Sequence, residues 1–388
     1  MVYLIILFII LFFIYKFEIS KQIKGKSTSI YIISFLLIMV SALRYRIGLD
    51  TMRYMEFYDN IPTIKDLSME YYLISGHEPL YFLVEVFAKT ISPDFFILQI
   101  FVSVFVNLVV INFLKKNTKY VFTAILLYYL VLYVGYNFEA MRQSTAVAIF
   151  LLSYKYLKEK NWIKYYLFCF IALMLHTSGL VMFFVPVFIK VKIDRYFILY
   201  LIIVIALFIL VRDNMGTIFD KISITDRLSQ KAEMYRYSEY SKNVLNVKGI
   251  LTMVTIYMII PYIALRNFVR LNSTRLDYEY LIILNMVIAL LSFEAQIFSR
   301  YLDYFTPFLL LALVEYIGKN LYLPTTNNNL VPKLITSIYV FTFILIKING
   351  QYFAYTNGVE DYYRYIPYYS VITEEKSPER EKLFRFSY

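Results

Sequence analysis

The chain has 388 residues, 60% of them hydrophobic, against roughly 45 to 50% apolar usage in soluble domains, and its mean hydropathy is +0.59. That composition excludes a water-soluble globular enzyme and points to a polytopic membrane protein. The net charge of +11 is not a nucleic-acid signal, because many lysines and arginines sit in short connections between apolar runs, as the positive-inside rule expects.

The first apolar run, Val2 to Tyr15, lacks a basic flank and a small-residue cleavage site, and reads as a retained helix rather than a removable signal peptide. Thr28 to Leu43 follows. It breaks off into "RYRIGLD", where Arg44 and Arg46 stand just past a helix end, Gly48 permits a turn and Asp50 can pin one guanidinium. The second guanidinium is then available to an anion, since its fork suits phosphate; interfacial arginines equally snorkel to lipid headgroups. "GHEPLY" next puts His77 and Glu78 directly before a proline and a short run, Pro79 to Ile91, that carries Glu85 and Lys89. A carboxylate there fits the positive end of a helix, and fits sugar hydroxyls as well.

Phe95 to Leu114 and Tyr120 to Phe138 lead into "NFEAMRQSTAVAIFLL", the start of the run Ala140 to Leu157. Asn137, Glu139, Arg142 and Gln143 enter an apolar segment here, and charges do so at a cost unless they pair or line a watery cavity. Glu139 and Arg142 stand three apart, close enough to share a helical face. Within Ile163 to Ile189, "HTSG" surrounds His176 with Thr177, Ser178 and Gly179, the signature of a broken helix lining a cavity; a lone core histidine is the plainer reading. Cys169, the single cysteine, reads as a packed core thiol.

Later runs are Tyr196 to Val211, Gly249 to Leu265, Tyr280 to Phe298, Tyr301 to Ile317 and Leu334 to Ile348. Between the fourth-last and third-last lies "RNFVRLNSTR"; between Tyr280 to Phe298 and its successor, "SFEAQIFSRYLDYFTPF" brings Glu294, Arg300, Asp303 and Tyr304 to a turn with almost no loop. Arg300 and Asp303 can simply pair with each other.

The expected fold is all-α: a polytopic transmembrane helical bundle of about 10 to 12 membrane segments with one or two re-entrant or broken helices. Residues 1–349 form a single integral membrane domain with extracytoplasmic loops 44–78 and 212–248, and residues 350–388 a Tyr-rich polar tail on the same side. Placing the basic loops "KFEISKQIKGK", "KKNTK", "KEKNWIK", "KVKIDR" and "RNFVRLNSTR" in the cytoplasm requires that Pro79 to Ile91 not fully cross and that Ile163 to Ile189 turn back near "HTSG". Nearly every unusual charge then faces the extracytoplasmic side. No Walker loop, dinucleotide fingerprint, HExxH or zinc-spaced cysteine pair occurs, so no cofactor or metal is expected.

Taken in order, Arg46, Gly48, Asp50 and Tyr54, then Glu78 and Pro79, "MRQSTAVAI", "ALMLHTSGLV" and "RYLDYF" resemble the EpsG/Wzy group of bacterial exopolysaccharide and O-antigen polymerases, over about Leu43 to Phe308. The resemblance implies an enzyme of the bacterial cytoplasmic membrane that joins glycan repeat units carried on undecaprenyl diphosphate at its outer face. Membrane lipid and, from the same pathway, a chain-length regulator and a flippase are the implied partners. Arg142 and Arg300, with Arg46 assisting, would stabilise the departing diphosphate. His176 is the first candidate for accepting the proton of the attacking hydroxyl, with Glu139, Glu78 and Asp50 behind it. Glu78, Asn137, Gln143, Asp303 and Tyr304 would meet the glycan. An O-antigen ligase would use similar groups. A transporter or flippase of lipid-linked sugars predicts charges spread through the membrane depth rather than gathered on one face.

Overall fold

The computed structural model describes residues 1–192, 247–263, 265–266, 276–292, 298–322, 330–352, 355–356 and 359–387. Most of loop 212–248, together with Glu294, lies outside the described residues. The architecture is all-α, apart from one two-stranded antiparallel sheet among the described residues. Two compact units emerge: Met1–Phe183 with Tyr322–Thr325 and Ile344–Tyr388, and Phe184–Leu321 with Thr326–Phe343.

In the first unit α1 (Val2–Ile14) continues through a π turn to Ile19, and α2 is Lys26–Ala42. Next come α3 (Leu49–Asp59), α4 (Met69–Ser75), α5 (Pro79–Ile91), α6 (Phe96–Asn117), α7 (Val121–Val131), α8 (Met141–Lys158) and α9 (Trp162–Leu175). A short α10 (Val181–Phe184) follows. The segment Val2–Ile19 and α6 are each long and apolar enough to cross a membrane, and shorter apolar helices accompany them. Large apolar side chains point outward from α1 (Phe8, Phe12), α2 (Tyr31, Phe35) and α9 (Ile163, Phe170). An outward apolar face suits lipid rather than water, so this surface is consistent with a membrane protein.

Inside the unit, several buried polar groups bond across helices. Asn107 on α6 donates to Asn137 Oδ1 at 2.7 Å and accepts from the Tyr128 hydroxyl at 3.0 Å, while Asn137 donates to the Tyr133 carbonyl at 2.8 Å. The Glu18 carboxylate accepts the backbone N–H of Phe122 at 2.7 Å and of Thr123 at 3.1 Å, capping the positive end of α7. Cys169 is fully buried, in keeping with a core thiol.

The run from 163 to 183 is a hairpin. His176 leaves the helix in an extended conformation (φ −160°, ψ 134°), a 3-10 turn Thr177–Leu180 follows, and the chain returns along α9. The Tyr165 hydroxyl donates to the Met182 carbonyl at 2.7 Å, and the rings of Tyr166 and Phe183 stack at 6.0 Å; one continuous helix would hold residues 17 positions apart about 25 Å from each other. Gly179 makes the return possible, because a Cβ there would lie 2.7 Å from the Ala172 carbonyl carbon. α5, at 13 residues, is about 20 Å long, short of the roughly 30 Å hydrocarbon core.

The C-terminal segment docks on the first unit. It comprises β1 (Tyr355–Thr356) paired with β2 (Val359–Glu360), a 3-10 turn Asp361–Arg364 and α15 (Pro378–Ser387). Tyr45 donates its N–H to Tyr369 at 2.9 Å, Val371 to Leu43 at 2.8 Å and Gly48 to Arg364 at 3.0 Å, so the loop after α2 gains a backbone partner. Leu49 and Met52 of α3 pack with Val359, Leu383 and Phe384.

The second unit contains a 3-10 turn Val185–Phe188, α11 (Val247–Val254), α12 (Glu279–Leu291), α13 (Ser299–Leu321) and the first part of α14 (Leu330–Tyr352). Its packed core includes Met258, Ile283, Met286 and Leu290. Asn285 on α12 donates to the Leu302 carbonyl on α13 at 3.2 Å.

Candidate functional site

Three segments far apart in sequence meet at the N-terminus of α3. Gly48 has φ +91°, and a Cβ there would sit 1.9 Å from the Phe138 carbonyl oxygen, so only glycine lets the two backbones approach. That contact is locked on either side: the Thr51 hydroxyl donates to the Phe138 carbonyl at 2.6 Å, and the Asp50 N–H donates to Glu139 Oε2 at 2.9 Å. Arg44 is buried below and donates to the Ser41 carbonyl and, at 3.0 Å, to the Thr51 hydroxyl, with its guanidinium 5.1 Å from the Phe138 ring centroid. Burial pulls Arg44 down to about 10.

Glu139 occupies the turn between α7 and α8. Burial first, and the neighbouring Asp50 carboxylate second, push its carboxyl up to about 7, while Arg364, the Asp50 N–H and Tyr365 pull the other way. Glu139 and Arg142 do not share a helical face. Ala140 (φ −82°, ψ 52°) ends the π turn and α8 begins only at Met141, so the two side chains take different partners.

Arg142 projects from the first turn of α8 over the ring of Tyr54 on α3, 5.4 Å from its centroid. Its Nη1 donates to Glu78 Oε2 at 3.2 Å, and Glu78 Oε1 accepts the Thr177 N–H at 3.1 Å. One carboxylate, held at the N-cap of α5 by the following proline, thus joins α5, α8 and the tip of the α9 hairpin. Burial would raise the Glu78 carboxyl, but Arg142 and the Thr177 N–H counter it and hold it below the usual carboxylate range. Arg142 Nε is buried and meets no hydrogen-bond acceptor among the described residues. It is a donor in hand beside a paired cation.

His176 sits at the hairpin tip with Nδ1 accepting the Ser178 N–H at 3.1 Å and lying 2.6 Å from the Ser178 hydroxyl. A backbone N–H can only donate, so the proton of the neutral ring belongs on Nε2. His176 therefore offers a donor, the opposite polarity to a proton acceptor.

Of the residues singled out from sequence, Glu78, Arg142 and His176 converge here, and Asp50 with Glu139 forms the adjoining lock. Arg46 is engaged elsewhere: its Nε and Nη2 donate to the two Glu381 oxygens at 2.6 and 2.7 Å, a bidentate pair with α15. Asn137 belongs to the buried network with Asn107, and Gln143 is buried on α8. Arg300, exposed, Asp303, half-buried, and Tyr304, buried, lie on α13 of the second unit. Sequence reasoning gave no role to Tyr81, noted Tyr54 only within the family pattern, and named His77 and Glu85 without pairing them, although their buried contact is 2.6 Å. A carboxylate inside an otherwise apolar helix was the available signal for Glu85.

The bundle, with its outward apolar faces, is consistent with a membrane protein, and the Arg142–Glu78 pair is recessed among its helices. The EpsG family model matches residues 27–370, and the chain belongs to the EpsG family, a Wzy-like polymerase family. No curated protein and no solved structure matches the chain.

Proposed function

We propose that this protein is a polysaccharide polymerase of the bacterial cytoplasmic membrane. It transfers a growing glycan from undecaprenyl diphosphate onto a sugar hydroxyl of an incoming lipid-linked repeat unit, at the extracytoplasmic face. Family membership over residues 27–370 carries the reading, and the Arg142 cluster supplies chemistry that fits it. In the transfer, the acceptor oxygen bonds to C1 of the chain's terminal sugar as the C1–O bond to the diphosphate breaks. The leaving diphosphate takes the electron pair and needs no acid, unlike a glycosidase leaving group.

Arg142 answers the charge that builds on that diphosphate. Glu78 and the Tyr54 ring hold the guanidinium in place, and preorganised donors stabilise developing charge without reorganising during the reaction. His176 Nε2–H is a second donor for a phosphoryl or sugar oxygen. Arg46 orders its own loop through Glu381; for the residues on α13, diphosphate binding is on this reading assigned to Arg300 and glycan binding to Asp303 and Tyr304. The hydroxyl must still lose its proton, for which Glu139 and Asp50 are candidates the sequence offered and His77 is one it did not.

The test is a gene deletion in the source organism, complemented with wild type or Arg142→Ala at equal membrane levels, with surface glycan resolved on a gel. A ladder with wild type, reduced to single-repeat product in the deletion and with Arg142→Ala, is the expected outcome. Long chains accumulating on the lipid carrier in the deletion would identify a ligase instead, and an unchanged ladder would reject both.

A further inference from the structure

His77 and Glu85 form a buried pair to which the chemistry above gives no task. His77 Nδ1 lies 2.6 Å from Glu85 Oε2, with the two residues 8% and 1% exposed. With Glu85 ionised its carboxylate accepts, so Nδ1 carries the hydrogen and the neutral ring keeps its lone pair on Nε2. This is the reverse of His176. Nε2 of His77 has no hydrogen bond with any described residue. The imidazole plane is set by Phe57 of α3, edge-on at 5.8 Å, and by Tyr81 of α5 at 6.3 Å.

The pair stands inside the candidate site. His77 directly precedes Glu78, the Arg142 partner, and Glu85 lies within electrostatic reach of both Arg142 and Glu78. Between them the Tyr81 hydroxyl is fully buried without a hydrogen-bond partner among the described residues. By contrast Glu139 is turned toward Asp50 and the C-terminal Arg364 and Tyr365. A ring nitrogen with a lone pair, fixed by a buried carboxylate beside an arginine positioned for a leaving diphosphate, has the arrangement of a general base.

We propose, on the polymerase reading, that His77 is the catalytic base and Glu85 its positioning residue. As the acceptor oxygen bonds to C1 and the diphosphate departs with the C1–O electron pair, the hydroxyl proton passes to His77 Nε2. Glu85 holds the ring in the tautomer that leaves Nε2 open and stabilises the imidazolium that forms.

The test uses the full chain in membranes, with lipid-linked repeat unit extracted from the deletion strain as substrate and the initial rate of polymer formation as readout. His77→Ala is expected to lower the rate by about 100-fold or more, and added imidazole to restore about tenfold of it. Glu85→Gln should lower kcat at least about tenfold with little change in KM, and Glu85→Asp should recover part of the loss. Arg142→Ala, run in parallel, should be inactive with or without imidazole. If His77→Ala keeps wild-type rate, or is inactive at normal membrane levels and unmoved by imidazole while His77→Gln retains activity, His77 is not the base and the polymerase reading stands. If wild type itself makes no polymer from the lipid-linked repeat, that reading fails and the base assignment with it.

Discussion

At the scale of single residues, the site depends on carboxylates whose surroundings push them in opposite directions. Glu78 is held ionised by Arg142 and the Thr177 N–H, whereas Glu139 is raised to about 7 from an ordinary value of 4.5. The sign for Glu139 follows from linkage. Below about pH 4.5 its carboxyl is protonated both folded and unfolded, and contributes no difference. Between there and pH 7 only the folded state keeps the proton, so stability falls as pH rises, and above pH 7 the full penalty applies. Glu139→Gln removes that dependence. Melting temperatures of the detergent-purified protein should show the variant gaining on wild type between pH 5 and pH 8; an equal gap at both pH values would refute the assignment.

Elements are where local signals meet tertiary ones. Gly48 starts α3 at a positive φ under the Phe138 carbonyl, so Gly48→Ala forces both a strained backbone and a clash. A loss of roughly 2 kcal/mol or more is expected, read as lower thermal stability, and Tyr54 should no longer sit beneath Arg142. The turn at "HTSG" was legible in the sequence because small and polar residues interrupt an apolar run, and the hairpin formed there. Arg142 and Glu78 were legible as charges at the mouths of apolar helices. That they pair with each other was not, because the contact crosses 64 positions and depends on how α5 meets α8. His77 and Glu85 are only eight apart, yet the loop that swings His77 back over α5 follows no helical period. The same limit hid Asn137, whose polarity suggested a ligand while a neighbouring helix supplied its partner.

For the whole molecule, the C-terminal segment is part of the first unit's framework rather than an appendage. Arg380, 1% exposed, donates to the carbonyls of Tyr363, Arg46 and Pro367, at 2.9, 3.2 and 2.6 Å. Its charge has three neutral acceptors, and burial brings it down to about 10. Losing it leaves three carbonyls unserved, at about 1 to 3 kcal/mol each for buried groups. Arg380→Ala should therefore loosen residues 355–387 while the helices stay folded, seen as faster limited proteolysis beyond residue 355 with unchanged helical circular dichroism. Unchanged proteolysis would show that the Arg46–Glu381 pair and the Leu383 cluster hold the segment unaided.

Arg46 and Glu381 are 335 positions apart. At roughly 5 to 20 residues per second the ribosome needs about 15 to 70 s to travel from one to the other. During that interval the loop carrying Arg44, Arg46 and Gly48 has already been made, yet lacks the backbone at 369–371 that pairs with it. For up to about a minute Arg46 thus stands without its Glu381 partner, and a message broken before codon 364 would yield a first unit that never gains this closure.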